Sequence, residues 1–242
     1  MDWLEGAGSR IAFFGGSFDP PHLGHLAVAR AAREALALDT VLFAPVGAQP
    51  LKPQGSMASF EDRLAMTRLA TAGEPGMAVS LIDAPGAGPG ANPSPNYTFD
   101  TLMRLRAALP VGGTLFCLMG ADSFVGLRGW RRGAEIPFAA KLIVASRPGQ
   151  RLDDLAAALP PGLTIEAHAP GESAPAGLAL ERYRLRNAAG DCAPLCLLPG
   201  LHVEISASEI REQVRAGSAP AQARELLAPA VAEYIGSHGL YR

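Results

Sequence analysis

One stretch near the beginning of the sequence constrains the fold more than any other. It reads Gly15-Gly16-Ser17-Phe18-Asp19-Pro20-Pro21-His22-Leu23-Gly24-His25, and it joins a short apolar run (residues 10–14) to an alanine-rich run (residues 26–36). The first run is typical of a buried parallel strand and the second of a helix. The stretch is therefore predicted to be a strand-to-helix connection, the position at which doubly wound α/β proteins hold their ligands.

The residues of this connection are of types that bind phosphate. The helix is predicted to begin near Leu23, so His25 lies in its first turn, where free N–H groups and the helix dipole favour an anion. His22 and His25 are three residues apart, and both can face one phosphate group. Gly15 and Gly16 carry no Cβ and let the backbone approach a ligand closely. A single histidine would more often be a cap or a surface residue, but the complete pattern favours a phosphate site.

The rest of the chain continues an α/β pattern. Further strands are predicted at residues 40–46, 77–82, 114–119 and 141–145, and helices at residues 59–72 and 97–109. A β-hairpin at about residues 180–200 is predicted as an insertion peripheral to the chemistry, and residues 206–242 as a C-terminal helical part. The expected fold is a doubly wound parallel sheet in a single domain over residues 1–242.

Composition excludes several classes of protein. With 242 residues, 48% of them hydrophobic, and a net charge of −2, the chain suits a soluble enzyme and gives no support to a nucleic-acid partner. No apolar run has transmembrane length and the first residues are acidic, unlike a signal peptide, so no membrane partner is expected. Cys117, Cys192 and Cys196 are an odd number and are predicted to be reduced thiols of a cytoplasmic protein. The sequence does not fix the oligomeric state and is compatible with a homo-oligomer.

Polar or aromatic residues follow several predicted strands, and each has two interpretations. Lys52, in the loop after the second strand, either contacts phosphate or is a solvated lysine. Asp122, just past Gly120 and the fourth strand, either accepts hydrogen bonds from a ribose or amino group or caps a helix. Trp130 is either a stacking platform or a packed surface residue. The glycine- and proline-rich residues 84–96 are either a mobile linker or a lid.

A second anion site is predicted in the C-terminal part. Ser206 or Ser208 can cap the helix that begins there, and Arg211 falls in its first turns. Hydroxyls, free N–H groups and a guanidinium together suit a phosphate. Simple helix capping is the alternative interpretation.

Together these segments resemble a known family. The first stretch matches the GxFDPxHxGH signature of the nucleotidylyltransferase superfamily, and over nearly its whole length the chain is similar to the bacterial nicotinate-nucleotide adenylyltransferases. The matching segments are residues 16–25, 50–52 (PLK), 97–102 (YTFDTL), 120–123 with Trp130 (GADS…W), 146–149 (SRPG) and 205–211 (ISASEIR). The chain departs from the family pattern at Leu51, where histidine is usual, and at Ala207 and Ser208, where the family has serine and threonine.

The resemblance implies a Rossmann-like domain that transfers the adenylyl group of ATP to nicotinate mononucleotide in NAD biosynthesis, releasing pyrophosphate. ATP would arrive with Mg²⁺, and neither a tightly bound cofactor nor a protein-ligated metal is expected. The residues implied to be catalytic, through positive charge beside the phosphates, are His22, His25, Lys52 and Arg211. Those implied to bind ATP are Gly15, Gly16, Ser17, Phe18, His22, His25, Gly120, Asp122, Ser206, Ser208 and Arg211. Those implied to bind the acceptor are Lys52, Tyr97, Thr98, Asp122, Trp130 and Arg147.

Other functions are possible on the same fold. A phosphopantetheine adenylyltransferase or a cytidylyltransferase would share the first motif, but neither would be expected to combine it with YTFDTL and GADS…W. An adenylyltransferase with a nicotinamide mononucleotide acceptor is another alternative. A non-catalytic nucleotide-binding regulator would also share the fold, although both histidines and Arg211 argue against it. For the nicotinate carboxylate, the predicted partners are backbone N–H groups and the Thr98 hydroxyl at a helix N-terminus, because residues 97–100 and 122–123 contain no arginine.

Overall fold

A computed structural model gives the architecture of the protein. It describes residues 6–48, 55–86, 95–145, 152–167, 180–198, 205–216 and 225–242. Two predicted site residues, Lys52 and Arg147, lie outside the described residues, as does most of the glycine- and proline-rich segment 84–96.

The central feature is a sheet of eight strands. The strands are β1 (Arg10–Gly16), β2 (Thr40–Pro45), β3 (Met77–Val79), β4 (Thr114–Gly120), β5 (Lys141–Ala145), β6 (Leu163–Ala167), β7 (Glu181–Asn187) and β8 (Cys192–Leu198). Their order across the sheet is β3-β2-β1-β4-β5-β8-β7-β6. Every neighbouring pair from β3 to β8 is parallel, whereas β7 is antiparallel to both of its neighbours. The predicted α/β fold is confirmed, with one strand reversed.

Helices connect most of the parallel strands. They are α1 (Leu23–Leu36), α2 (Phe60–Thr71), α3 (Thr98–Ala108), α4 (Ala121–Gly126), α5 (Ile136–Ala139), α6 (Leu152–Ala158), α7 (Ala207–Arg215) and α8 (Pro229–Ser237). Helix α1 begins at the predicted residue, and Ser59 caps α2 by accepting from the N–H of Asp62 at 3.0 Å. The sequence did not predict α4, α5 or α6, because each is too short to show a helical period.

Alternate residues of the strands pack into two separate apolar cores, one on each face of the sheet. Ile11 and Phe13 of β1 lie on the face covered by α3, whereas Ala12 and Phe14 lie on the face covered by α1. Successive side chains of a strand point to opposite faces, so a strand covered on both sides must be apolar throughout. This is why the parallel strands appear in the sequence as continuous apolar runs rather than alternating ones.

The predicted β-hairpin is present as β7 and β8, and it is built into the sheet. Strand β8 pairs in parallel with β5, from Leu142 opposite Leu195 to Ala145 opposite Leu198, and its last four residues are buried. The segment predicted as an insertion therefore supplies an interior strand on which the packing of β5 depends. That it takes no part in the chemistry stays a prediction.

The C-terminal helices pack on α2 and form a third apolar cluster. Met66 of α2, Ile210 of α7, Val231 of α8 and Tyr241 are all buried in it. Pro229 opens α8, where its fixed φ suits the first helical position and no N–H is required. This packing brings α7 towards the signature stretch at the other end of the sequence.

The strand order fixes where a ligand site can lie. From β1 the chain moves outward to β2 and β3, and then returns to place β4 and β5 on the other side of β1. The connections that leave β1 and β4 thus diverge at the carboxyl edge of the sheet, which is the crevice where doubly wound proteins bind ligands. The signature stretch begins at the end of β1, and Gly120 at the end of β4 and Asp122 just after it lie at the same edge.

Candidate active site

The two histidines lie side by side at the start of α1. His22 is the N-cap residue and His25 is in the first turn, and their ring centroids are 3.7 Å apart. The backbone N–H of His22 donates to Nδ1 of His25, with an N···N distance of 3.1 Å. Because Nδ1 accepts, the proton of the neutral His25 ring is on Nε2, which becomes a hydrogen-bond donor.

Burial keeps both imidazoles neutral. It lowers the pKa of His22 from 6.5 to about 4. Burial, with a smaller effect of the adjacent His22, also lowers the pKa of His25 well below its ordinary value. The buried Nδ1 of His22 makes no hydrogen bond to any described residue. Burial therefore favours the neutral form of both imidazoles, and a bound phosphate would raise both pKa values. Their positive charge beside the phosphates stays a prediction.

Aromatic packing shapes the turn between β1 and α1. Phe18 has a φ of +48°, a left-handed conformation that non-glycine residues rarely adopt. Its buried ring meets Phe14 edge-on at 5.6 Å and lies 5.0 Å from the His25 ring. A Cβ on Gly15 would lie 2.6 Å from the ring of Phe13, so this glycine is also required by core packing. Phe18 as a whole is 2% exposed, so its ring belongs to the core and its contact with ATP stays a prediction.

The second predicted anion site lies against the signature stretch. Ser206 caps α7 by accepting from the N–H of Ser208 at 3.2 Å, and the Ser208 hydroxyl accepts from Nη2 of Arg211 at 3.0 Å. Nη1 of Arg211 donates to the backbone carbonyl of Asp19 at 2.7 Å. The structure therefore brings two hydroxyls, a helix N-terminus and a guanidinium to the loop that precedes the histidine pair.

A buried carboxylate, to which the sequence analysis gave no role, holds this loop. Asp19 is 5% exposed. Its Oδ2 accepts from the N–H of Met57 at 2.7 Å, and its Oδ1 accepts from the N–H of Ala58 at 3.2 Å and from the Tyr241 hydroxyl at 2.7 Å. Asp19 is visible in the signature, but its partners are distant in sequence and carry no signal of their own.

A buried arginine of α2 is a second residue that the sequence analysis missed. Arg63 is 2% exposed, and it donates to the backbone carbonyls of Ser17 at 2.7 Å and Val46 at 2.8 Å. It thereby joins the connection after β1 to the connection after β2. An arginine on a helix of mixed composition is normally exposed, so the sequence gives no sign of this role.

The predicted acceptor segment begins α3. Tyr97 is the N-cap residue and Thr98 the first helical residue, so free backbone N–H groups are available there. The Thr101 hydroxyl donates to the buried carboxyl of Asp83, and the carbonyl of Asp83 accepts from the N–H of Gly47 at 2.7 Å. Burial raises the pKa of Asp83 to about 6. One residue thus anchors both the connection after β2 and the first turns of α3.

The connection that contains Trp130 contacts the start of α3 through the residues that follow it. It is partly buried and packs against the core that contains Phe99. The neighbouring Arg131 places its guanidinium 4.6 Å from the ring centroid of Tyr97 and pairs with Asp100 at 2.7 Å. Residues 97–100 and 122–123 contain no arginine, but the fold brings Arg131 to Tyr97 from the connection that contains Trp130.

Gly120 and Asp122 lie where β4 passes into α4. Gly120 is the N-cap residue of α4, and a Cβ on it would have no atom within 4 Å. Its backbone therefore faces open space at the divergence of β1 and β4. Asp122 is an exposed residue of the first turn of α4.

Several other features bear on the kind of site. In the described ranges, no group of three or more His, Cys, Asp or Glu side chains could hold a metal ion. No helix within the same ranges is long and apolar enough to cross a membrane. The three cysteines are free thiols, and burial raises the pKa of Cys117 to about 12, which makes its thiol unreactive.

Comparison with known proteins first defines the class. The chain belongs to the cytidylyltransferase-like family, which matches residues 13–213. That span begins in β1 and ends in α7, so it contains both His22 and His25 as well as Arg211.

Curated relatives then define the particular family. The chain belongs to the nicotinate-nucleotide adenylyltransferases. A protein of Gloeobacter violaceus named as a probable nicotinate-nucleotide adenylyltransferase is 38% identical over 234 residues, covering 97% of each chain. One of the same name from Roseiflexus sp. is 38% identical over 233 residues, covering 96% of this chain and 98% of its own.

Solved structures support the fold. The nicotinic acid mononucleotide adenylyltransferase of Plasmodium falciparum, complexed with NaAD, superposes with a TM-score of 0.67 over 97% of this chain and 98% of its own. The same enzyme complexed with APC gives a TM-score of 0.66 with the same coverage. At 16% identity, these likenesses establish the architecture.

Proposed function

We propose that this protein transfers the adenylyl group of ATP to nicotinate mononucleotide, forming nicotinate adenine dinucleotide and pyrophosphate in NAD biosynthesis. The observation that carries the proposal is the neutral pair His22 and His25 at the start of α1, with Arg211 anchored beside it. The names of the relatives support the choice of reaction, since they match over nearly the whole chain.

The chemistry asks for alignment and charge stabilisation rather than for a strong base. An oxygen of the 5′-phosphate of nicotinate mononucleotide attacks the α-phosphorus of ATP. The bond from that phosphorus to the α,β-bridging oxygen breaks, and pyrophosphate leaves with the electron pair. The attacking phosphate is already an anion, so no proton has to be removed. The site must hold the two phosphates in line and stabilise the charge that moves onto the leaving group.

The start of α1 supplies donors for the α-phosphate. Nε2–H of His25 is fixed as a donor by the hydrogen bond at Nδ1, so it needs no reorganisation during the reaction. The free N–H groups of the first turn add to it. Arg211 and Ser208 at the start of α7 are assigned to the leaving pyrophosphate, and Lys52 to the same cluster of phosphates.

The nucleosides occupy the connections after β4 and before α3. Gly120 and Asp122 are assigned to the adenosine, because the backbone of Gly120 faces open space there. Trp130 is assigned to the pyridine ring, and the first N–H groups of α3 with the Thr98 hydroxyl to its carboxylate. Arg131 adds a guanidinium beside this helix start, although Asp100 offsets part of its charge.

Mg²⁺ is expected to arrive as part of the substrate. The described residues offer no cluster of metal ligands. Phosphate oxygens of a nucleotide bind Mg²⁺ with few or no protein ligands, which is how this ion is usually held. The nucleotide is therefore written as Mg²⁺–ATP.

The test is to incubate the purified protein with Mg²⁺–ATP and each acceptor separately: nicotinate mononucleotide, nicotinamide mononucleotide and phosphopantetheine. Pyrophosphate release and the mass of the product are measured. We expect the dinucleotide from nicotinate mononucleotide, with a preference over nicotinamide mononucleotide of roughly a hundredfold or more, since two charge-assisted hydrogen bonds contribute about 1.5–3 kcal/mol each. Equal use of both pyridine nucleotides would refute the specificity and leave adenylyl transfer standing. ATP binding without product from any acceptor would favour a regulator.

A further inference from the structure

Asp19 is the point at which three distant segments meet. Its carboxylate accepts from Met57 and Ala58, in the connection before α2, and from the Tyr241 hydroxyl, 222 residues further along the chain. Its backbone carbonyl accepts from Arg211 of α7. A carboxylate that is 5% exposed needs such partners, because a buried charge without them is costly.

Tyr241 is a suitable donor for this position. Its side chain is 6% exposed and packs in the cluster formed by α2, α7 and α8. Burial, and then its hydrogen bond to Asp19, raises the pKa of Tyr241 above its ordinary value, so the hydroxyl keeps its proton and donates. It donates to Oδ1, the oxygen with the longer of the two backbone hydrogen bonds, 3.2 Å to Ala58.

We propose that Tyr241 is a positioning residue of the ATP site, acting through Asp19. The Tyr241 hydroxyl orients the Asp19 carboxylate, and Asp19 in turn fixes the loop that leads from β1 into the histidine pair. This rests on the proposed function in so far as that loop holds the triphosphate. Neither the signature nor the names of the relatives assign Tyr241 a role.

The same part of the chain offers a matched control. Tyr234 of α8 also donates its hydroxyl to a carboxylate, Oδ1 of Asp62, at 2.9 Å. Asp62 is a half-buried residue of the first turn of α2, and its carboxylate hydrogen-bonds to Ser59 and Tyr234, neither of which belongs to the signature stretch. Tyr234→Phe thus removes one tyrosine–carboxylate hydrogen bond from the same helical cluster without touching Asp19.

The experiment compares Tyr241→Phe with Tyr234→Phe in the full chain. For Tyr241→Phe we expect kcat/KM for ATP to fall by about tenfold, as for loss of a hydrogen bond to a charged group, while KM for nicotinate mononucleotide is unchanged. Amide hydrogen exchange at Met57 and Ala58 should become faster. Tyr234→Phe should leave the ATP kinetics and both amides as they are.

Rescue separates hydrogen bonding from packing. Tyr241→4-aminophenylalanine keeps a ring donor at the same place and should restore most of the ATP kinetics and the slow exchange. Three results would each overturn the proposal. Tyr241→Phe could show the kinetics and exchange of the wild type, both phenylalanine variants could show equal losses, or the amino variant could fail to restore them. If Tyr241→Phe does not fold, the 4-aminophenylalanine variant becomes the test. The proposal then requires that this variant folds and has the ATP kinetics of the wild type, and it is refuted if the folded variant does not.

A readout independent of turnover separates this proposal from the proposed function. Titration calorimetry with Mg²⁺–ATP, without any acceptor, should show binding about tenfold weaker in Tyr241→Phe than in Tyr234→Phe. A wild-type protein that binds ATP but adenylylates no acceptor would refute the function, and the calorimetry and exchange would still decide the role of Tyr241.

Discussion

Replacing His22 by asparagine should change how the stability of the protein depends on pH. His22 is buried and its pKa in the folded protein is about 4, compared with 6.5 when it is free in solution. As the pH falls between these values, the unfolded chain takes up a proton that the folded protein does not, so stability is lost. Asparagine cannot take up that proton, and it is a preferred N-cap residue, so α1 keeps its start.

The magnitude follows from the two pKa values. Acidification from about pH 7.5 to about pH 5 should cost the wild type about 2 kcal/mol of unfolding free energy through His22 alone. His25 acts in the same direction, because its pKa is also lowered by burial and by His22. His22→Asn should therefore lose about 2 kcal/mol less than the wild type over the same pH interval.

Asp83 provides a variant of opposite sign. Burial raises its pKa from 3.8 to about 6, so the folded protein takes up this proton first and stability is gained as the pH falls through that interval. From about pH 7.5 to about pH 5 the gain is about 1.5 kcal/mol. Asp83→Asn removes it while keeping an acceptor for Thr101, and should lose about 1.5 kcal/mol more than the wild type on acidification.

The assay is urea unfolding of the three proteins at both pH values, with the slope against urea checked for equality. The two variants should deviate from the wild type in opposite directions. A His22→Asn protein with the same pH-dependent loss as the wild type would refute the argument that His22 is held neutral by burial. Imidazole NMR titration of the wild type gives the His22 pKa directly.

Three further predictions concern the site. His25→Ala should lower turnover on the order of 100-fold or more with the fold intact, whereas His238→Ala, at the exposed end of α8, should not; near-normal turnover in the folded His25 variant would exclude it from the chemistry. Trp130→Ala should raise KM for the acceptor about tenfold and leave KM for ATP unchanged, and a change in ATP alone would place Trp130 elsewhere. Arg63→Met should lower the unfolding free energy by roughly 2–4 kcal/mol, because two backbone carbonyls lose a charged donor; an unchanged urea midpoint would contradict this.

Local chemistry made much of the fold predictable, including the strand-to-helix connection on which the candidate site is built. Parallel strands buried on both faces are continuous apolar runs, so the sequence shows where they lie. The connection from β1 to α1 is recognisable from glycines, prolines and histidines at fixed spacing. Ser206 likewise caps α7 as its residue type suggests.

The remainder depends on contacts between distant segments. The parallel pairing of β8 with β5, which makes β8 an interior strand, depends on which strands meet in the fold, and an apolar run does not encode this. Arg131 approaches Tyr97 only because the connection after α4 folds back on α3. Asp19 stands in the signature stretch, but its hydrogen bonds to Met57 and Tyr241 join parts of the chain that share no local pattern.

The contact between Arg211 and Asp19 affects the order in which the protein acquires its properties as it is synthesised on the ribosome. The two residues are separated by 192 positions, so the loop that precedes the histidine pair leaves the ribosome long before its guanidinium partner. At ordinary translation rates of 5–20 residues per second the interval is roughly 10 to 40 s. During that time a nascent chain can form β1, α1 and β2, and Met57, Ala58 and Arg63 can already hold the loop, while the guanidinium that completes its anchoring is still missing. The ability to hold a triphosphate should therefore be among the last properties that the growing protein acquires.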